Sequence, residues 1–527
     1  MSKNKAGRIV SKLKKRIAES EEINHSLTKI VKGAGIVFLG MIIGKAIGYF
    51  YTILVARLGA EQFGLLNLGF SIVSLVVTLS LLGLDNGVLR YIAYYQGKKD
   101  KPRVKGTIIS ALKICLPLSI FLALIVFSFS PQIATFFFHN TQLIPILRIF
   151  AFMVPFAAIG TIFLSCFRGF QRVDYQVGLS EITEKATRLL ATLLLIYLGF
   201  GVIGASYAYL VSAVLICIIG FFLLEKRVFP LFKTKIKARY YTKELVHYSI
   251  PLLLTSVLVF VIVWVDTLML GYFRTAAEVG IYSAAHSTAA LMFILPTALI
   301  SLFLPIITDF YSKKKHEKVK KLYKTVSRWI FLVNFPVFLI LFFFSKQIIP
   351  ILFGGGYTSS VIPLAILSAG YLLYSMSYTS SNILSMAKKT KIVFVTTCIF
   401  AGSNILLNLI LVPLYGVIGA ATATSTSFVI GFIFFTFLGY KKVKTYPFDK
   451  SFLNVFLVGL MAIVVAYYIT KVGFFPTNIF ILLLMGLLFV LVYIGLLFLF
   501  NGFKKEDFEI LRLMLNKFKI SVHLENQ

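Results

Sequence analysis

Runs of about 18 or more predominantly apolar residues recur along the whole chain, and each is long enough to cross a hydrocarbon core of roughly 30 Å at 1.5 Å per helical residue. The pattern is clearest from Gly33 to Leu84, where an apolar span, a turn at Gly59-Ala60-Glu61-Gln62-Phe63-Gly64 and a second span follow one another. Glycine at both ends of that turn is expected to supply backbone angles that other residues resist. A soluble core cannot hold so much apolar sequence: hydrophobic residues make up 58% of the 527, and mean hydropathy is +0.89. The expected fold is therefore an all-α polytopic membrane protein.

Fourteen spans are predicted, at about 33–58, 62–84, 107–130, 143–166, 176–197, 202–224, 246–271, 281–308, 327–344, 361–386, 391–412, 417–439, 451–470 and 478–500. They divide the chain into a basic N-terminal segment 1–32, a six-helix lobe 33–224, a linker 225–245, a second lobe 246–439, a further helix pair within 440–500 and an amphipathic tail 501–527. The net charge of +33 would suggest nucleic acid in a soluble protein, but its distribution says otherwise. Forty-five of the 53 lysines and arginines fall on one side, in the termini and alternate loops, against five on the other: Arg57, Arg148, Arg274, Lys346 and Lys471. That asymmetry is a topogenic signal. It predicts both termini cytoplasmic in a multi-pass cytoplasmic-membrane protein, with the basic loops attracted to anionic lipid headgroups and no nucleic-acid partner.

The two lobes carry an internal repeat. Gly201-Val202-Ile203-Gly204-Ala205 returns as Gly416-Val417-Ile418-Gly419-Ala420, 215 positions later. Glu61 with Phe63-Gly64-Leu65 matches Glu278-Val279-Gly280-Ile281, and Arg57 matches Arg274, at offsets of 216 or 217. A repeat with an even number of spans keeps its orientation, so the lobes are expected to be related by a pseudo-two-fold axis along the membrane normal and to face one cavity.

Several chemistries drop out. Gly40-Met41-Ile42-Ile43-Gly44-Lys45-Ala46 has the wrong spacing for a phosphate loop, lacks the final Ser or Thr, and lies mid-span. Cys115, Cys166, Cys217 and Cys398 fall in or at apolar spans and imply neither disulfide nor zinc, and the six histidines show no ligand spacing. No metal site or cofactor is expected. What remains is a short list of intramembrane charges. In the fifth span Glu181 precedes Lys185, and Glu184 precedes Arg188, by four residues each. That order suits ion pairing on one helical stripe, so a structural ladder and a ligand-binding role both stay open. Lys45 and Asp266 have no opposite charge three or four residues away on their own helices, and each needs an outside partner. A direct bridge between them is disfavoured, because the predicted spans put them about 12 Å apart in depth.

At these residues the chain resembles the multidrug, oligosaccharidyl-lipid and polysaccharide exporter superfamily, and within it the polysaccharide-precursor flippase branch. The resemblance covers about Lys29 to Asn501. It rests on Gly44-Lys45-x-x-Gly48-Tyr49, on Ala56-Arg57-Leu58-Gly59-x-x-x-Phe63-Gly64, on the Phe167-Arg168-Gly169-Phe170-Gln171-Arg172 connection, and on twelve helices followed by a pair. It implies a transporter, not an enzyme, that exports a polyprenyl-(pyro)phosphate-linked oligosaccharide by alternating access. The phosphate would be received in a basic cavity by Lys45, with Lys185 and Arg188 as secondary contacts. For Asp266, with Glu181 and Glu184 as further cavity groups, two roles stay open: coupling to a cation gradient or the membrane potential, and a packed hydrogen-bonding role. The expected partners are the anionic lipid-linked sugar and membrane lipids, with the protein acting as a monomer or beside other polysaccharide-assembly proteins. Lipid II flippases usually carry an Arg-Asp pair where this chain has Tyr51 and Thr52, which weakens a peptidoglycan assignment. Drug-extruding relatives often have an acidic residue in the first helix, absent here. A membrane glycosyltransferase or polymerase would need carboxylates in a sizeable outward loop, and the longest such loop, about Ser345 to Ser360, has none.

Overall fold

The computed structural model describes residues 38–232, 236–444, 446–448, 451–471, 478–500 and 502. The N-terminal segment 1–32 and, apart from Gly502, the tail 501–527 lie outside the described residues. Among the described residues every regular element is helical. Among the described residues eleven helices are long and apolar enough to cross a membrane.

In chain order the principal helices begin with α1 (Phe38–Ala56), α2 (Ala60–Leu81), α3 (Lys101–Ser128) and α4 (Leu143–Gly169). The next, α5, runs through Val173–Val177, a π turn at Gly178–Thr183 and Glu184–Tyr197. Then come α6 (Gly201–Val228) and α7 (Thr242–Phe273), followed by α8, whose parts Ala276–Ala289 and Ile294–Ser312 are joined by a 3-10 turn. After α9 (His316–Phe343) and α10 (Val361–Met386), one helical run, Thr390–Val443, breaks at Gly416 into α11 and α12. The last two are α13 (Ser451–Lys471) and α14 (Ile479–Leu499). The eleven fall three short of the fourteen expected spans. The four charges of α5 interrupt its apolar character, the apolar part of α13 is only Phe452–Val465, and α11 and α12 run together within one continuous apolar segment.

The repeat has local structural counterparts. Gly201 and Gly416 both sit at φ 53°, a conformation that favours glycine: Gly201 opens α6 after a short turn, and Gly416 breaks the run between α11 and α12. The Gln62 side chain lies against Gly201 as Glu278 lies against Gly416. A Cβ on Gly64 would fall 1.7 Å from the Ala276 carbonyl oxygen, and one on Gly280 would fall 1.9 Å from that of Ala60. The two Ala-x-x-x-Gly faces therefore pack on each other reciprocally, backbone against backbone, as small residues allow in membranes. Ala60 with Ala276 and Gly64 with Gly280 set an offset of 216 for this segment, which pairs Glu278 with Gln62 rather than with Glu61, while Gly201 and Gly416 stay 215 apart. Gly59, at φ 112°, has the backbone role expected of it, whereas Gly64 is helical and is required by the close approach of Ala276.

Two segments expected as loops are helical. Leu84–Gly97 buries Leu84, Val88 and Ile92, one every four residues, in a cluster with Ile108 and Ile162. Ser345–Phe353 is held at its C-terminal end by Arg57, whose Nε and Nη2 donate to the carbonyls of Leu352 (3.0 Å) and Ile351 (2.7 Å). The C-terminal helices pack on α9: Gly459 abuts Phe335, and the Tyr493 hydroxyl donates to the Leu332 carbonyl at 2.9 Å. Along α14 only Phe489, Tyr493 and Leu497 are buried, so the remaining face is left to lipid.

Candidate functional site

The site is assembled by two helices that run side by side. Gly40, Gly44 and Gly48, one per turn of α1, face Val177, Glu181 and Lys185, one per turn of α5. At Gly44 a Cβ would lie 2.5 Å from the Glu181 backbone oxygen, so glycine is needed for the approach itself. The motif Gly44-Lys45-x-x-Gly48 thus has a steric meaning. Its glycines bring α1 onto the charged stripe of α5, and Lys45 is placed beside Glu181 and Lys185. The π turn at Gly178–Thr183 contains Glu181 and re-phases the stripe, an irregularity of the kind that recurs at functional sites.

Both ion pairs suggested by the sequence are formed. Lys185 Nζ donates to Glu181 Oε2, and Arg188 Nη2 donates to Glu184 Oε1. The Arg188 guanidinium also stands 4.0 Å over the Tyr209 ring, while its Nε, although buried, has no hydrogen-bond partner. Lys45 is exposed and makes no hydrogen bond or ion pair among the described residues. Two carboxylates and three cations leave one net positive charge, and Lys45 is the cation not already paired. One turn along α1 from Lys45, Gly48 lines a pocket of about 130 Å³ together with Tyr51, Thr52, Asn67, Lys185, Arg188 and Tyr209, among others. A second, about 290 Å³, adjoins Glu184 and Arg188.

Asp266 is elsewhere. It is 1% exposed in α7, where Tyr282 donates to Oδ2 at 2.8 Å and Asn408 and Asn404 donate to Oδ1 at 2.6 and 3.3 Å. Tyr282 also lies 3.2 Å from Thr424 Oγ1. No Lys45–Asp266 bridge forms: Asp266 is satisfied by Tyr282, Asn404 and Asn408, whereas Lys45 lies beside Glu181 and Lys185 of α5. His286, stacked on Tyr282, pairs its Nε2 with the Tyr371 hydroxyl at 2.9 Å and is a packed residue. Sequence reasoning missed Tyr209 and the two amides. Asn404 and Asn408, four residues apart in an apolar run, were the available signal, because amides in a span need partners. Nothing local marked Tyr209, which reaches Arg188 only through the packing of α6 on α5.

Comparison with known proteins agrees with this architecture. The family described as polysaccharide biosynthesis protein matches residues 30–310, and the MatE family matches residues 251–410. A probable low-salt glycan biosynthesis flippase of Haloferax volcanii, Agl15, is 25% identical over 402 residues, covering 76% of this chain and 78% of the relative. A probable flippase of the same organism, AglR, is 26% identical over 458 residues, 83% of this chain and 89% of the relative. The uncharacterized membrane protein MJ1068 of Methanocaldococcus jannaschii is 25% identical over 457 residues, 84% and 90% respectively. Among solved structures, the lipid II flippase MurJ in an inward closed conformation superposes with a TM-score of 0.68 at 18% identity, over 87% of this chain and 97% of the other. An inward-facing multidrug resistance MATE family transporter gives 0.63 at 18% identity, over 78% and 98%. At these identities the two structures bear on the fold alone.

Proposed function

Since the chain belongs to the polysaccharide biosynthesis protein family, within the multidrug, oligosaccharidyl-lipid and polysaccharide exporter superfamily, we propose that it is a flippase. Its substrate is a polyprenyl-(pyro)phosphate-linked oligosaccharide, carried across the cytoplasmic membrane by alternating access between two six-helix lobes, with fourteen crossings and both termini cytoplasmic. The reciprocal Ala60/Gly64–Ala276/Gly280 seam supports the two-lobe reading, since a pseudo-two-fold axis makes such contacts come in pairs. The observation that carries the substrate is Lys45: an unpaired cation on a glycine-packed helix, next to a stripe whose other charges are neutralised. An anionic headgroup would complete it, whereas an organic cation would meet like charge. For the lipid tail, an apolar cavity of about 490 Å³ extends from Tyr49 and Thr288 to α14. Coupling is assigned to Asp266. The buried Asn404 Oδ1 and Asn408 Oδ1 have no hydrogen-bond partner and, with the carboxylate and Thr424, offer oxygens suited to a hard cation or to a proton on Asp266.

The test is transport of a defined lipid-linked sugar in proteoliposomes. Lys45→Ala and Lys45→Glu should abolish transport at normal expression, and Lys45→Arg should keep part of it, because only a cation balances a phosphate in a low-dielectric site. Full transport by a well-expressed Lys45→Ala protein would overturn the assignment.

A further inference from the structure

Between α2 and α7 lies a cavity of about 380 Å³ that the phosphate site does not use, lined among others by Ser74, Thr78, Asp85, Asn86, Ser256 and Trp264. Its chemistry differs from that of the pocket lined by Lys185 and Arg188. It holds one carboxylate, one amide, several hydroxyls and an indole, and no cation. Asn86 Nδ2 donates to Asp85 Oδ2 at 3.0 Å, which fixes the two planar groups relative to each other. Asp85 makes no ion pair among the described residues. Thr78 donates to the Ser74 carbonyl at 2.8 Å and so keeps its oxygen lone pairs available as acceptors. Paired acceptors and donors beside an aromatic face suit a polyhydroxylated ring, whose hydroxyls need both kinds of partner and whose C–H face needs an apolar platform.

This cavity adjoins the pocket of Glu184 and Arg188. Ser74 and Thr78 also line the pocket that contains Glu184 and Arg188. Aromatic rings bridge the two regions: Trp264 meets Phe70 edge-on at 5.5 Å, Phe70 meets Tyr209 at 4.6 Å, and Tyr209 lies 4.0 Å beneath Arg188. Along α2, Asn67 beside Arg188 and Thr78 beside Asp85 are separated by about 16 Å, the scale of a short oligosaccharide. The two ends have opposite character: Lys185 and Arg188 line one, and Asp85 lines the other.

Resting on the flippase reading above, we propose that the α2–α7 cavity is the sugar subsite of the same substrate. Asp85 and Asn86 take the hydroxyls, and Trp264 stacks on the ring. The unpaired Asp85 carboxylate selects neutral or amino sugars against uronic acids, since a second carboxylate beside it would be repelled. The experiment measures binding of three probes to the purified full-length protein: farnesyl phosphate, its glucosyl ester and its glucuronyl ester. Wild type should bind the glucosyl ester at least fivefold more tightly than the glucuronyl ester. Asp85→Asn, nearly isosteric, should bring the two within twofold. Trp264→Phe and Asn86→Ala should weaken the glucosyl ester severalfold and leave farnesyl phosphate unchanged. If these variants shift all three probes alike, or none, the subsite is refuted. Farnesyl phosphate binding that is indifferent to Lys45→Ala would instead refute the phosphate site, so the two failures are distinguishable.

Discussion

Replacing Gly64 by alanine is expected to loosen the seam between α2 and α8 and to favour the conformation in which that seam is open. The new Cβ would lie 1.7 Å from the Ala276 carbonyl oxygen, where real Cβ contacts essentially never fall below 3.0 Å. The obstacle is backbone, so the helices must part by at least 1.3 Å, the difference between those distances. Overpacking of this kind costs about 1–3 kcal/mol. If the open state lacks the contact, its population relative to the closed state rises about 5- to 150-fold. The reporter is Thr288, 1% exposed below the seam, where its hydroxyl lies 3.0 Å from Tyr49 Oη. A Thr288→Cys protein with the four native cysteines replaced should react with a membrane-impermeant thiol reagent, applied to the face bearing Gly59 and Gly354, faster in the Gly64→Ala background by that factor. Gly280→Ala should act similarly, because its Cβ would meet the Ala60 oxygen at 1.9 Å. Gly402→Ala, with nothing within 4 Å of its Cβ, is the control. Equal labelling in Gly64→Ala and Gly402→Ala would refute the view that the reciprocal glycine contact holds this face closed.

Other outcomes follow from the site and the topology. Arg188→Gln strands Glu184 and should lower thermal stability by about 1–3 kcal/mol, while the Glu184→Gln/Arg188→Gln double variant should recover most of it; no recovery would mean that the contact with Tyr209, not the ion pair, dominates. Asp266→Asn replaces one of the two acceptor oxygens by an NH2 group, which then faces either Tyr282 or the two amides, and should both destabilise the protein by a similar amount and remove the dependence of transport on a cation or proton gradient; retention of that dependence would eliminate the coupling role. Cysteines at the exposed positions Ser312 and Ser359, in a cysteine-free background, should label from opposite sides of the membrane, with Ser312 reached only from the cytoplasm; labelling of both from outside would overturn the fourteen-span topology.

Membrane residence, helical class and the internal repeat were legible in the sequence because each depends on local order: apolar length, loop charge and recurrence of a short glycine-rich string. The ion pairs within α5 were legible for the same reason, since a spacing of four residues fixes a neighbour on a helix without knowledge of the rest of the fold. Only the tertiary structure decided the partners that come from other helices. It set Lys45 beside Glu181 because three glycines of α1 fit against α5, and it enclosed Asp266 with Tyr282, Asn404 and Asn408 instead of pairing it with a lysine. It also gave Gly64 a steric role rather than a conformational one, because the close approach of Ala276 comes from a segment more than two hundred residues away. A sequence states what each helix offers on its faces, but which faces meet is settled by the packing of small residues and by the need of buried polar atoms for partners, and both are properties of the assembled set of helices.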